Sequence, residues 1–432
     1  MVQAVTAGLE AIREQLAELY RDLHQHPELS LQETRSAGLL AGHLRAAGFD
    51  EVAEQVGGTG VVGLLRNGDG PVVMLRADFD ALPVLEKTGL PYASTVRGVD
   101  PDGNDVPVMH ACGHDMHAAA LVGAAKLLAA ARSDWTGTLL VVFQPAEELI
   151  LGARQMVQDG LFERFPKPRI VLGQHVAPLP AGFIGHGSGP IMSASDHVKV
   201  TLFGRGGHGS RPEAAVDPVL MAANVVTRLQ GIVAREVPPA EAAVVTVGRL
   251  QAGTKDNIIP DTAELGINMR SYTPQVRDLV RAAIERIVRA ESAAGNAVRE
   301  PEIEWLGNAP ALVSDPDATA TTLAAFGEHF GPQRLFPMPL VTASEDVGAF
   351  GAALGIPTVF WFWGGLEPDL VFKALAEGRI DSLPANHSAE FAPLIEPTLS
   401  TGVEALVVAA LTWLGPAGSA DSAAPVGAEA ES

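Results

Sequence analysis

The chain has 432 residues, 47% of them hydrophobic, and sets 30 Lys+Arg against 51 Asp+Glu for a net charge of −21. That length predicts two domains rather than one core, and the apolar share excludes an intrinsically disordered chain. So acidic a surface repels nucleic acid and anionic membrane, so neither is an expected partner, and a single cysteine permits no internal disulfide, which suits a reducing cytoplasm.

In chain order, Val5, Leu9, Ile12, Leu16, Leu19 and Leu23 recur at helical spacing, with Glu10, Arg13, Glu14 and Glu18 between them. They predict an amphipathic helix that lacks the apolar core of a secretory signal. No uncharged apolar stretch approaches the ~20 residues a membrane helix needs. Residues 60–65, 72–75, 138–143 and 170–172 read as strands and 118–131 as a helix, an alternation that predicts an α/β domain with its sheet covered by helices. The rhythm then changes. Strands at 196–203, 243–250, 263–269 and 302–305 alternate with helices at 218–235 and 274–290, the β-α-β-β-α-β order of a ferredoxin-like unit. Apolar runs at 340–341 and 357–363 resume the first style. The expected organisation is therefore a discontinuous catalytic domain with a mixed sheet (1–188 and 307–415), interrupted by an inserted ferredoxin-like α+β domain at 189–306. A solvated, disordered tail is expected at 416–432, where Ala, Ser, Gly, Pro and Glu leave little to bury.

Four short stretches carry the chemistry. They are Met109-His110-Ala111-Cys112-Gly113-His114-Asp115, Pro145-Ala146-Glu147-Glu148, Gln174-His175-Val176-Ala177-Pro178 and Asn386-His387-Ser388-Ala389-Glu390-Phe391. Each follows or lies beside an apolar run, which places each at the end of a strand in one sheet, where α/β folds build their sites. Thiolate, imidazole and carboxylate are the donors that hold zinc-like ions. By residue type alone, Cys112 also suits a buried apolar position. Two adjacent glutamates commonly start a solvated helix, but the preceding apolar strand and Pro145 count against that here.

Taken together and in order, from His24-Gln25-His26-Pro27-Glu28 to Phe391-Ala392-Pro393, these stretches resemble the metal-dependent aminoacylase/carboxypeptidase family. The branch they resemble contains hippurate hydrolases, auxin-conjugate hydrolases and bacterial N-acyl-amino-acid amidohydrolases. The resemblance implies two divalent ions bridged by Cys112, in a place most relatives fill with aspartate. His114 would bind one ion, His175 would match a ligand of the second, and His387 would join Glu148. Glu147 would do general acid–base work. His110 and His117 match no ligand position. Many relatives carry His-x-Asp where this chain has Asp78-Phe79-Asp80, so His114 would replace the missing imidazole while Asp80 orients it.

By the same resemblance, the segment expected to be inserted adds three residues. His208, in Gly206-Gly207-His208-Gly209-Ser210, would stabilise the oxyanion in a partner subunit's site, although Gly-His-Gly alone also suits an exposed hairpin. Asn257 would hold substrate. Arg270 would grip a carboxylate in a bidentate fork, a surface ion pair being its plainer alternative. Ser344-Glu345-Asp346 matches without a ligand role.

The sequence thus predicts a di-metal amidohydrolase that cleaves N-acyl-L-amino acids to a carboxylic acid and a free amino acid. It would act as a homodimer or higher homo-oligomer through the inserted domain. The soft Cys112 favours zinc, with manganese, cobalt or nickel as alternatives. A carboxypeptidase or dipeptidase would use the same machinery. A cysteine hydrolase with Cys112 as nucleophile would leave Glu147, Glu148, His175 and His387 without a task. Retention of Glu147 argues against a relative that only binds.

Overall fold

The structure is a computed structural model that describes residues 2–416. The tail expected at 416–432 therefore lies, Pro416 apart, outside the described residues. No helix among the described residues is long and apolar enough to cross a membrane.

The chain divides into two compact units. The first takes the residues up to Gly189, Val313–Pro339 and those from Asp346 onward; the second takes Pro190–Leu312 and Leu340–Glu345.

The first unit is built on one mixed sheet, whose strand order is Glu51–Val56, Gly60–Asn67, Trp135–Gln144, Val72–Asp78, Ile170–Pro180, Thr358–Leu366, Ile184–His186 and Leu335–Pro337. The central strands run parallel: Val72–Asp78 pairs in parallel with both Trp135–Gln144 and Ile170–Pro180, and the latter with Thr358–Leu366. Central strands of this kind are buried on both faces and so read as near-continuous apolar runs. Val73, Leu75 and Ala77 share one apolar cluster with Leu139, Val141, Phe143 and the helices Leu9–Gln25, His114–Ala130 and Thr398–Trp413. The alternate residues Arg76 and Asp78 are buried on the other face. Trp361 and Trp363 are buried as well, each finding a carbonyl oxygen for its indole N–H, Gln174 Oε1 at 3.0 Å and the Thr398 carbonyl at 3.1 Å. Asp78 and Gln144 end two adjacent parallel strands, and the site begins there.

The helix expected at 118–131 begins at His114, which brings His114 and His117 onto its first turn. Gly113 permits this start. It is left-handed at φ +85°, and a Cβ on it would meet Val176 Cγ1 at 2.4 Å. The N-terminal amphipathic run is two helices, Val2–Thr6 and Leu9–Gln25, interrupted at Ala7-Gly8.

The second unit contains a four-stranded antiparallel sheet, in the order Ala243–Ala252, Thr262–Ser271, Ala194–Phe203 and Glu302–Ala309. The helices Pro218–Arg235 and Pro274–Ala294 complete the β-α-β-β-α-β order and share an apolar core with the sheet through Val225, Leu229, Val280, Ile284, Leu265 and Ile267. Both helices carry proline at their first position behind a capping side chain, Asp217 and Thr273. Such caps contribute ~1 kcal/mol each and explain why these two starts are visible in the sequence. The run at 340–341 contributes no strand and makes only an isolated bridge from Val341 to Met192.

Candidate metal centre

Cys112 sits in the turn before the His114–Ala130 helix, and its sulfur lies 3.4 Å from His175 Nε2. The expectation that His175 follows its strand needs correction. The strand runs on to Pro180, and His175 lies inside it, paired with Phe362. His387 also lies away from any strand end. It occupies a loop with left-handed backbone (φ +71°), and its amide donates to the Ala111 carbonyl at 2.8 Å. Glu147 and Glu148 do follow a strand, Trp135–Gln144.

The donor atoms fall into two groups that share the cysteine. Cys112, His114 and His175 form one, Cys112, Glu148 and His387 the other, and within each group the ligand atoms lie within 4.8 Å of one another. The distances thus group His114 with His175. Glu147 joins His114 and Glu148 at similar spacing.

Each ring is turned so that one nitrogen faces the cluster. His114 Nδ1 bonds to the carbonyl (3.0 Å) and carboxylate (3.1 Å) of Asp80, and His175 Nδ1 to the Val176 carbonyl (2.7 Å). Carbonyls accept only, so both Nδ1 atoms carry hydrogen, and in the neutral ring Nε2 offers a lone pair. His114 Nε2 is buried without a hydrogen-bond partner, although carboxylate oxygens of Asp78, Glu147 and Glu148 stand 3.8 to 3.9 Å away. Glu148 Oε1 is likewise buried without a partner, while Oε2 lies 3.3 Å from His387 Nε2.

Two buried donors without partners, surrounded by carboxylates just beyond hydrogen-bonding distance, fit a divalent cation. The electrostatics agree. Burial pushes the Cys112 thiol well above its ordinary range, and Glu148 and Glu147 add to that. Burial disfavours the charged form of His114, yet Asp78, Asp80 and Glu148 outweigh it and raise this imidazole to about 10. Burial holds His175 well below its usual value, so it is neutral and able to ligate. An excess of acceptors gathers here around the buried guanidinium of Arg76, and cations would relieve it.

Asp78 is engaged elsewhere. Its Oδ2 accepts from Arg76 Nη1 at 2.6 Å and its Oδ1 from His117 Nδ1, while His117 Nε2 accepts the Val176 amide hydrogen at 2.9 Å. Although Asp78, His114 and His117 stand close enough to hold an ion, both nitrogens of His117 are therefore taken. Burial would raise the Asp78 carboxyl, but Arg76, His114 and His117 hold it well below the carboxylate range. His110 makes no side-chain hydrogen bond among the described residues, and burial lowers it to about 4.

One residue inside a quoted stretch proved more connected than its type suggested. Asn386 Nδ2 donates to the carbonyls of Cys112 (3.0 Å) and Val176 (3.1 Å), tying the His387 loop to the cysteine turn and to the strand of His175.

His208, Asn257 and Arg270 all belong to the second unit. His208 lies exposed on the short strand Gly207–His208, paired with Ile258–Ile259, and the Gly209 amide donates to the Asn257 carbonyl at 2.8 Å. The Ser210 amide reaches His208 Nδ1 at 3.1 Å, and because an N–H only donates, the neutral ring carries its hydrogen on Nε2. Arg270 Nη1 donates to the Thr342 carbonyl at 2.7 Å and lies 3.3 Å from Ser344 Oγ.

The chain matches peptidase family M20/M25/M40 over residues 74–374 and belongs to it. It is 36% identical to an N-acetylcysteine deacetylase of Bacillus subtilis (strain 168) over 308 residues, 71% of this chain and 77% of that protein. It is 39% identical to the hippurate hydrolase of Campylobacter jejuni over 331 residues, 76% and 82% of the two chains. Among solved structures it resembles a Bacillus subtilis protein described as a dinuclear metal binding peptidase of family M20. That likeness has a TM-score of 0.73 and 30% identity, and covers 94% of this chain and 99% of that one.

Proposed function

We propose that the protein is a di-metal amidohydrolase that hydrolyses the amide of N-acyl-L-amino acids to a carboxylic acid and a free amino acid. One observation carries this reading: two donor groups that share Cys112, with Glu147 beside them. Cys112, His114 and His175 would hold one ion, and Cys112, Glu148 and His387 the other. Divalent cations in such a site polarise a carbonyl and lower the pKa of water from ~15.7 towards ~7. Thiolate and imidazole donors favour zinc over manganese, cobalt or nickel.

The chain's own residues supply the rest. Glu147 takes the proton of the attacking water and returns it to the leaving amine, the exchange that a carboxylate beside the reacting atoms performs. Asp80 holds the His114 ring by its Nδ1 hydrogen. His208 offers Nε2–H to the developing oxyanion. Asn257 and Arg270 hold the substrate, and the planar guanidinium of Arg270 suits the free carboxylate of an acyl amino acid. His208 acts across a homodimer formed through the second unit. Support for that assembly comes from the edge strand Ala243–Ala252, which exposes Val244 and Leu250 beside an unpaired ladder. The single cysteine suits a cytoplasmic location.

The test is hydrolysis of a panel of N-acetyl, N-benzoyl and long-chain acyl amino acids beside dipeptides, with and without chelator. Turnover of the acyl amino acids that a chelator abolishes is expected. Turnover confined to dipeptides would make the protein a peptidase instead, and full activity in a verified metal-free sample would overturn the mechanism.

A further inference from the structure

Glu33 is a glutamate that the mechanism leaves unused. Its side chain is fully buried, yet it lies in the connection between the helices Leu9–Gln25 and Thr34–Ala46, far in sequence from every donor described above. Among the described residues no lysine or arginine pairs with it. Its two oxygens receive one hydrogen bond each, from Thr59 Oγ1 at 2.6 Å and from the Ala146 amide at 2.9 Å.

The second of these bonds matters because of what Ala146 is. It is a buried non-glycine residue in the left-handed region, at φ +51°, and the half-buried Ile150 that follows stands at φ +54°. Left-handed backbone in a residue with a Cβ costs on the order of 1–2 kcal/mol and persists only where its surroundings hold it. Between them the chain makes a tight turn. The Ile150 amide donates to the Glu147 carbonyl at 2.7 Å, and the amides of Leu151 and Gly152 donate to the Ala146 carbonyl. Glu147 and Glu148 are displayed by this turn.

The turn is pinned on both sides of Glu147 by buried carboxylates. The Ala146 amide gives its hydrogen to Glu33 Oε1, and the Glu148 amide gives its hydrogen to Asp80 Oδ2 at 3.0 Å. Asp80 also orients His114, so its effect is shared with the imidazole. The hydrogen bonds to the Glu33 carboxylate come from Thr59 and Ala146, neither of which would hold an ion.

We propose that Glu33 is a positioning residue for this turn: by accepting the Ala146 amide hydrogen it holds the left-handed backbone that aims the Glu147 carboxylate. The proposal rests on the reading of Glu147 as the acid–base group. The requirement is an acceptor at the right reach rather than a charge. Glutamine keeps the acceptor and can turn its amide to the Thr59 hydroxyl, which accepts as well as donates. Aspartate keeps the charge but is one methylene too short.

Glu33→Gln, Glu33→Asp and Glu33→Ala separate these terms in the metal-loaded enzyme. Four quantities are measured: kcat, KM, metal content by elemental analysis, and amide hydrogen exchange in peptides spanning residues 144–152. The Asp and Ala variants are expected to lose ~10–100-fold in kcat, the scale on which removing the hydrogen-bond partner that orients a metal ligand acts. Their KM should change little, their metal should stay bound, and exchange across the turn should quicken. Glu33→Gln should keep most of kcat and the slow exchange. Added to Glu147→Gln, the Glu33→Ala change should cost little more, because its effect runs through Glu147. Wild-type kcat in the Asp variant, a Gln variant as impaired as Ala, or losses that add in full to those of Glu147→Gln would each overturn the proposal. Should the Ala variant fail to fold, Asp against Gln decides alone. If Glu147→Gln itself keeps full activity, the reading of Glu147 falls, and exchange across the turn still decides whether Glu33 holds it.

Discussion

The two units present most of their chemical residues differently, although His387 of the first unit is itself exposed. In the first, Cys112, His114 and Glu147 are buried, and the rings of His114 and His175 are each fixed by a bond to the nitrogen turned away from the cluster. In the second, His208 and Asn257 are exposed, and among the described residues the His208 ring is hydrogen-bonded by the neighbouring Ser210. A cation site needs rigid, dehydrated donors whose geometry exists before the ion arrives. Residues that meet a substrate and release a product need access and freedom to adjust. Changes in the first unit should therefore act on metal as well as on turnover, and changes in the second should leave the metal in place.

The largest effect expected is that of metal removal. Dialysis against a chelator should abolish hydrolysis, and zinc, manganese or cobalt should restore it. The buried site should also make the apo protein less stable than the loaded one, since a ligand bound only by the folded state stabilises it by mass action. An equal thermal midpoint with and without metal would mean that the donor groups do not hold the ions.

Glu147→Gln comes next, with a loss of ~10²–10⁴-fold in kcat, the range for a general acid–base group, and metal retained. Glu148→Gln should weaken metal binding as well. Elemental analysis of the two purified variants separates the roles, and the reverse pattern would exchange them.

The second unit should answer differently. His208→Ala should lose ~10²–10³-fold in kcat, as loss of an oxyanion donor does, and leave the metal untouched. If the histidine acts across a dimer, mixing inactive Glu147→Gln with inactive His208→Ala should partly restore activity. A mixed dimer contains one site with an intact Glu147 and an intact partner His208. Mixed dimers confirmed by mass and still inactive would end that reading. A smaller effect is expected at Arg270. Arg270→Lys should raise KM for acyl amino acids more than for their amides, because only the free carboxylate needs a planar fork. Equal losses on both would give Arg270 a structural task, holding the Thr342 carbonyl.

How much of this was legible in the sequence depended on whether the signal was local. The ferredoxin-like order could be read because alternation in Ala194–Phe203 and the Asp217–Pro218 and Thr273–Pro274 starts are local. The mixed sheet was read from short apolar runs, but their ends were not. His175 looked like the residue after a strand because Gly173 and Gln174 interrupt the apolar run, whereas pairing with the Thr358–Leu366 strand carries the ladder on to Pro180. The Thr398–Trp413 helix was missed because it is apolar nearly all round, so it shows no contrast between two faces. Glu33 lay beyond sequence reasoning for another reason. A hydrogen bond between residues 113 apart leaves no periodicity and no spacing to notice.

The smallest effect expected is one of stability, and it too separates the units. In the second unit the buried Asp196 is clasped by Arg277 through bonds of 2.6 and 2.8 Å. In the first, Glu33 has hydrogen-bond donors but no cation among the described residues, and burial, with a contribution from Asp80, raises its carboxyl from 4.5 to about 7. A carboxyl whose pKa is higher folded than unfolded binds its proton more tightly in the native state. The stability it contributes is complete below about 4.5 and is lost as the pH rises through about 7. Glutamine in its place cannot ionise, so relative to wild type Glu33→Gln should gain stability between pH 5 and pH 8, by at most ~3 kcal/mol. Denaturant unfolding of both proteins at the two pH values measures that difference of differences, in which the titrations common to both cancel. A gap between the two proteins that does not change with pH would show Glu33 to be ionised throughout, held by its two donors against its burial.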